Sequence, residues 1–297
     1  MPSPPPFGYY VPAVCFFDEK EDLDARAIKS HILRVAKGGV AGIIVQGTNG
    51  EAQHLSHEER KQTICLTRQI LDTNGFSNIV ILAGCGAQSA RETQKLCVDT
   101  KEAGADYALI LSPSTFPPQM SVPNVIRFHL EVADASPTVT AGLDLDSDAL
   151  VTLAKHPNIV GAKLTCGNIA KLLRIASSVP ASEFAVLAGK ADFVLPGLLA
   201  GSRGCITALS NLTPKLHGKL FYLWKVAKGE EAMRQQATMG HADWALQKLG
   251  GIGAYGYGTG KVRTPLKEVT DESLQGNKHY EMLIDLIRME ERLDSKL

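Results

Sequence analysis

Four things are scarce in this chain, and each scarcity excludes something. No apolar run approaches the roughly 20 residues a membrane-spanning helix needs, so no membrane association is expected. There is no excess of charge: 31 Lys and Arg balance 31 Asp and Glu, leaving no electrostatic footprint for nucleic acid or an anionic membrane surface. The six cysteines, at 15, 65, 85, 97, 166 and 205, form no CxxC pair and no Cys/His ligand cluster, so no metal site is expected. The opening MPSPPPFGYY lacks the charged and apolar regions of a signal peptide and reads as a loose arm. Together these imply an intracellular protein with reduced, mostly buried thiols.

Also missing are internal repeats, charge blocks and low-complexity linkers. What remains is ordinary globular composition, 44% hydrophobic and 21% charged over 297 residues, enough for one large core or two smaller ones. The last three residues, Ser295, Lys296 and Leu297, spell a receptor-read peroxisomal address. The plainer alternative is an accidental end to the polar helix MEERLDSKL, so cytoplasm and peroxisome both stay open.

Along the chain, apolar segments alternate with helical patterns. YYVPAVCFF, GVAGIIVQG, NIVILAGC, ADYALILSP, NIVGAKLTCG, FAVLAGKA and GCITALSN are short and rich in Val, Ile, Leu and Ala. Strands buried on both faces of a parallel sheet read this way. Ser56 with Glu59 and Ser89 with Glu92 have capping-box spacing and open two of the intervening helices. About eight such units within some 220 residues predict a (β/α)8 barrel rather than a doubly wound sheet. After Asn211 the pattern is helical only, which divides the chain into a barrel with an N-terminal arm over 1–228 and a helical extension over 229–297.

Chemistry in such a barrel belongs at the C-terminal ends of the strands. Strand two ends in GTNGE, Gly47 to Glu51, where Asn-Gly suits a plain turn. A Thr and an Asn among close-packed glycines also suit an anion, such as a carboxylate held by backbone N–H groups. Strand six, IVGAKLTCGN, carries Lys163 among apolar residues, with no acidic residue in the strand to pair it. An ammonium in low dielectric loses hydration, its pKa falls, and the free amine becomes a nucleophile toward carbonyls. Other matches fail their context. GIGAYG, Gly251 to Gly256, follows a helix instead of a strand, and GTGKV lacks the Ser/Thr of a P-loop at Val262. His54 and His57 fall at a helix start, where solvent-facing polar residues are expected.

GTNGE after strand two, IVGAKLTCGN on strand six, AGKADF on strand seven and GCITALSN on strand eight resemble the dihydrodipicolinate synthase / N-acetylneuraminate lyase family. The similarity runs from about Tyr10 to Leu293. The resemblance implies a barrel with a C-terminal helical extension, a homo-oligomer (dimer or tetramer), and class I aldolase chemistry on pyruvate or a pyruvate-containing keto acid, with no cofactor. It makes Lys163 the Schiff-base lysine. Thr48 and Asn49 would contact the keto-acid carboxylate and the proton relay, with Gly47 and Gly50 beside them. Gly189 and Ile206 would line the bound substrate. GTNGE…LSHEER and HPNIVGAKLTCGN look most like the fungal branch that cleaves 2-keto-3-deoxy sugar acids or 4-hydroxy-2-oxoglutarate. A dihydrodipicolinate synthase-type lyase is the weaker choice.

One departure stands out. Strand five of the family ends in a tyrosine, near YNxP, that relays protons to the imine. Here EVADASPTVTAGLDLDSDAL holds no Tyr, and TVTA, Thr138 to Ala141, is all that remains to serve as a strand. About nine or ten residues are missing relative to the family, the core of strand five. A thin, poorly paired fifth strand and lowered stability are expected. SPSTFPPQ, after strand four, likewise puts Ser114, Thr115 and Phe116 where many relatives carry a Tyr. Three readings follow: an altered product of an active aldolase's gene, a catalytically impaired keto-acid-binding scaffold, or a site in which Thr140 or another hydroxyl takes over the relay.

Overall fold

The computed structural model describes residues 2–136, 138–141, 145–249 and 255–293, with Thr138–Ala141, Asp271 and Ser273 described by backbone alone. Eight strands are present: β1 (Gly8–Pro12), β2 (Gly42–Val45), β3 (Val80–Gly84), β4 (Tyr107–Leu111), β5 (Thr138–Ala141), β6 (Ile159–Leu164), β7 (Ala185–Ala188) and β8 (Gly204–Ile206). They form a closed parallel barrel in chain order, with β8 returning to β1 through Tyr9 opposite Cys205. The helices between them are α1 (Ala25–Lys37), α2 (His57–Thr73), α3 (Ala90–Glu102), α4 (Val122–Ala133), α5 (Ser147–Leu153), α6 (Ile169–Ser178) and α7 (Val194–Leu199). The (β/α)8 architecture read from the alternation is the architecture observed.

Local chemistry starts these helices where the sequence places them. Asp24, Ser56, Ser89, Ser121, Asp146 and Asn168 each accept a backbone N–H of the first turn they precede. Ser56 and Glu59 complete their reciprocal box. Ser89 completes only half of one, because the Glu92 carboxylate turns instead to Nε2 of His57, 2.7 Å away. Of the six free cysteines, Cys85, Cys97 and Cys205 are buried, whereas Cys65 and Cys166 are exposed. Half of the thiols, rather than most, lie in the core.

The barrel interior is an aliphatic plug. Tyr10, Ile44, Leu82, Leu109, Val160, Leu187 and Ile206 pack together, one from each of β1–β4 and β6–β8. A second apolar layer joins the outer strand faces to the helices.

The fifth strand departs from expectation. It is four residues long, the same as β2 and β7, and it is paired on both sides. Ala108 to Leu111 match Thr138 to Ala141 one for one, and Thr138, Val139 and Thr140 face Ile159, Gly161 and Ala162. The poor pairing predicted from the sequence is therefore wrong. Unpaired backbone groups in a closed barrel are costly, so the short segment is drawn fully into register. An irregularity in β6 opposite Thr138 and Val139 takes up the slack.

Beyond β8 the chain is helical: α8 (Pro214–Lys225), α9 (Gly229–Leu249), a short α10 (Asp271–Leu274) that the pattern did not predict, and α11 (Lys278–Glu291). Gln236 of α9 accepts the Leu195 N–H at 2.7 Å and donates to the Ala191 carbonyl at 2.8 Å, fastening α9 beside the end of β7. Glu290 of α11 supplies the N-terminal cap that α8 lacks locally: its two oxygens accept the Lys215 and Leu216 N–H groups, each at 2.8 Å. Ser295–Leu297 lie outside the described residues, as do Gly251–Ala254 of the glycine-rich decoy. Lys261 of GTGKV pairs with Glu268 at 3.0 Å.

Replacing Glu290 with Ala leaves two helix-start N–H groups without their acceptor. Urea unfolding is expected to show a loss of about 2–3 kcal/mol, against little change for a variant of the exposed neighbour Glu291.

Candidate active site

A cavity of about 660 Å³ opens at the C-terminal ends of the strands. Pro12, Ile44, Gly84, Leu109 and Lys163 carry its wall inward from β1, β2, β3, β4 and β6. Gly189 and Lys190 after β7 and Ala208 after β8 continue it. Asp243 and Gln247 of α9, with Leu266, add a side built from the C-terminal region.

The turn after β2 delivers Gly47, Thr48 and Asn49 to this cavity. Thr48–Gly50 form one turn of 3-10 helix, and Gly50 and Glu51 donate back to the Gly47 and Thr48 carbonyls. The first N–H groups of such a turn have no partner within it. They are free to meet an acceptor from the cavity side.

Lys163 is the penultimate residue of β6 and shares the cavity wall with Ile44 and Leu109 of the apolar plug, which also includes Val160 of its own strand. It makes no hydrogen bond or ion pair among the described residues. Burial disfavours the ammonium and pulls its pKa from the ordinary 10.5 down to about 8. At pH 7 about one lysine in ten is then a free amine, against about one in 3,000 for an ordinary side chain. Gly189 lies beside it, donating its N–H to the Leu164 carbonyl at 2.9 Å. A Cβ there would come within 2.6 Å of that carbonyl oxygen, so only glycine lets the two strand ends close at the lysine.

Two residues expected at the site lie elsewhere. Ile206 is fully buried within the barrel plug and does not reach the cavity wall. Gly50 faces the opposite side of its turn, lining a separate void of about 10 Å³, and a Cβ on it would press within 2.9 Å of the Ala13 carbonyl oxygen. Its glycine identity serves close packing on the end of β1. Phe116 of SPSTFPPQ is exposed, and neither it nor Ser114 and Thr115 lines the cavity. The side chain of Thr140 is outside what is described.

Conversely, Glu51, His54, Thr165, Lys190, Asp243 and Gln247 line the cavity without having been singled out as site residues. The expectation that His54 faces solvent is corrected: its ring is 23% exposed and stands in the cavity wall. His57, by contrast, bridges helices through Glu92 and Asp99. Asp243 was findable, because a carboxylate beside Met239 and Ala242 interrupts the buried stripe of α9. Burial first, and the Asp192 carboxylate second, push the Asp243 pKa up to about 6, while Gln247 donates to it at 2.9 Å.

The family model for the dihydrodipicolinate synthetase family matches residues 6–253. The chain belongs to this family. It is 39% identical to a protein of Emericella nidulans named as a probable mitochondrial 4-hydroxy-2-oxoglutarate aldolase, over 97% of both chains. It is 37% identical to the L-threo-3-deoxy-hexylosonate aldolase of Aspergillus niger, over 96% of both. Among solved structures, a dihydrodipicolinate synthase family protein of Coccidioides immitis superposes with a TM-score of 0.86 at 31% identity, covering 99% of both chains. YagE of E. coli K12, a family member solved in complex with pyruvate, gives 0.80 at 25% identity over 97% of this chain and 99% of that one. Within the family barrel, no helix among the described residues is long and apolar enough to cross a membrane, and no group of three or more His, Cys, Asp or Glu among them could hold a metal ion.

Holding an unpartnered amine over an apolar floor has a cost that can be read out. The folded pKa of Lys163 lies below the unfolded value, so the unfolded chain binds more protons between pH 8 and 10.5 and the penalty is full below pH 8. Lys163→Met is expected to stabilise the fold by about 2–3 kcal/mol at pH 7, a gain that fades as the pH rises toward 10.5. Urea unfolding of both proteins at the two pH values checks it.

Proposed function

We propose that this chain is a Schiff-base-forming class I aldolase that cleaves or forms a 2-keto-3-deoxy sugar acid or 4-hydroxy-2-oxoglutarate, releasing or adding pyruvate. The observation that carries this reading is an unpartnered, desolvated Lys163 in one cavity with the Thr48–Asn49 turn. The fungal relatives named for these two aldolase activities support the choice of substrate class.

In this mechanism the Lys163 amine adds to the C2 carbonyl of the keto acid, and loss of water gives the protonated imine. Backbone N–H groups of the Gly47–Asn49 turn and the Asn49 side chain hold the C1 carboxylate. The Thr48 hydroxyl passes protons at C2 as the carbinolamine loses water. The imine then withdraws the electron pair of the C3–C4 bond, the aldehyde departs, and the enamine is protonated at C3. Hydrolysis frees pyruvate and the amine. Gly189 lets the ends of β6 and β7 close together beside the lysine. The polar wall of Lys190, Asp243 and Gln247 faces the hydroxylated remainder of the substrate. Exposed Leu173 and Leu199, on the contacting helices α6 and α7, support assembly as a homo-oligomer.

A second reading is favoured by the missing strand-five tyrosine: a scaffold that binds keto acids without turning them over. Borohydride trapping with pyruvate and a coupled assay for pyruvate release separate the two. The aldolase reading expects a pyruvate-derived mass on Lys163, a trapping rate that rises through about pH 8, and cleavage insensitive to EDTA. An adduct without cleavage of any 2-keto-3-deoxy acid or 4-hydroxy-2-oxoglutarate establishes the scaffold. A folded protein that yields no adduct overturns both.

A further inference from the structure

With no tyrosine between β5 and α5, the aldolase reading has so far assigned no group to take the proton from the C4 hydroxyl and return one to C3. The wall of the same cavity contains an imidazole with a carboxylate held against it. Nδ1 of His54 is 2.9 Å from Oε2 of Glu51, and both residues line the cavity that holds Lys163. Nε2 has no partner among the described residues.

The orienting carboxylate is itself fixed. Glu51 is 8% exposed, and the same Oε2 accepts the Arg263 backbone N–H at 3.0 Å. The Arg263 guanidinium donates to the His54 carbonyl at 2.7 Å and pairs with Glu59, so the segment carrying Leu266 clamps the dyad from outside. Glu51 also occupies the left-handed region, at φ 51°, in a turn where glycine would be at no cost. A non-glycine residue persists in that region only where its surroundings over-determine it. The position tolerates strain and in return places a buried carboxylate behind an imidazole.

We propose that His54 is the proton-transfer residue of the aldol step, oriented by Glu51 in place of the absent tyrosine. The proposal rests on the imine reading above. With Glu51 holding the proton on Nδ1, the Nε2 lone pair is the base. Nε2 takes the C4 hydroxyl proton as the C3–C4 bond breaks. The hydroxyl oxygen becomes the carbonyl oxygen of the leaving aldehyde, and the bond's electron pair enters the neutral enamine at C2–C3. The imidazolium then returns its proton to C3, regenerating neutral His54 and the pyruvyl imine, which water hydrolyses. No oxidant, metal or further co-reactant is needed.

His54→Asn tests this, because the Asn amide nitrogen stands near the Nδ1 position and keeps a donor for Glu51 while deleting Nε2. Borohydride trapping of pyruvate on Lys163 is expected at the unsubstituted rate. Cleavage kcat is expected to fall at least about 100-fold with KM changed little, as for loss of a general acid–base. Exchange of the pyruvate methyl protons with deuterium oxide is expected to slow in parallel. A His54→Asn protein that traps pyruvate and also cleaves and exchanges at the unsubstituted rates overturns the assignment. If the unsubstituted protein traps no pyruvate, the imine reading fails and this assignment with it. Glu51→Gln, which keeps the imidazole but weakens its orienting partner, is expected to lie between the two in kcat. Equality with the unsubstituted enzyme contradicts the dyad.

Discussion

An aliphatic barrel interior cannot solvate an ammonium, and the geometry at the strand ends follows from that constraint. The plug of Ile44, Leu109, Val160 and Leu187 provides the low-dielectric floor, and Lys163 lies three residues beyond Val160 on β6. With no ion-pair partner among the described residues, burial lowers the amine's pKa, so that about a tenth of it is free at pH 7. The fold tolerates this destabilising feature on a strand paired on both sides, with β5 and with β7. Stability and nucleophilicity are thus set in opposition at one residue.

The remaining walls of the cavity come from elements that the barrel positions but does not itself form. The turn after β2 brings unpaired N–H groups to one side. The C-terminal helices bring Asp243 and Gln247 to another, held by the Gln236 bridge and the Glu290 cap. The Arg263 segment closes against Glu51 and His54. The helical extension is therefore part of the cavity as well as an appendage to the barrel, and helix packing far from the lysine reaches the site through α9.

Much of this was legible in the sequence, for identifiable reasons. Period and apolar content gave the strands, and cap chemistry at Ser56 and Ser89 gave two of the helix starts, since these depend on neighbours in the chain. Lys163 was legible because a cation in an apolar strand is costly. Gly50 and Ile206 fall outside the cavity lining, since proximity along a motif does not say which face of a turn or strand meets the cavity. His54 was read as solvent-facing because helix-start polarity is the usual rule, and only the fold brings Arg263, 209 residues further on, to close over it. The pairing of β5 was underestimated because a residue count of the loss does not say whether strand or loop absorbs it. The loop does.

The central claim is that the barrel floor, acting through desolvation, lowers the pKa of Lys163. Lysine labelled with 13C and 15N, assigned at Lys163 by comparison with Lys163→Met and titrated by NMR in the intact protein, measures it directly. The account predicts a side-chain transition centred near pH 8, well separated from the surface lysines. A transition near 10.5 would mean that the amine is solvated, and it would contradict the account at its foundation.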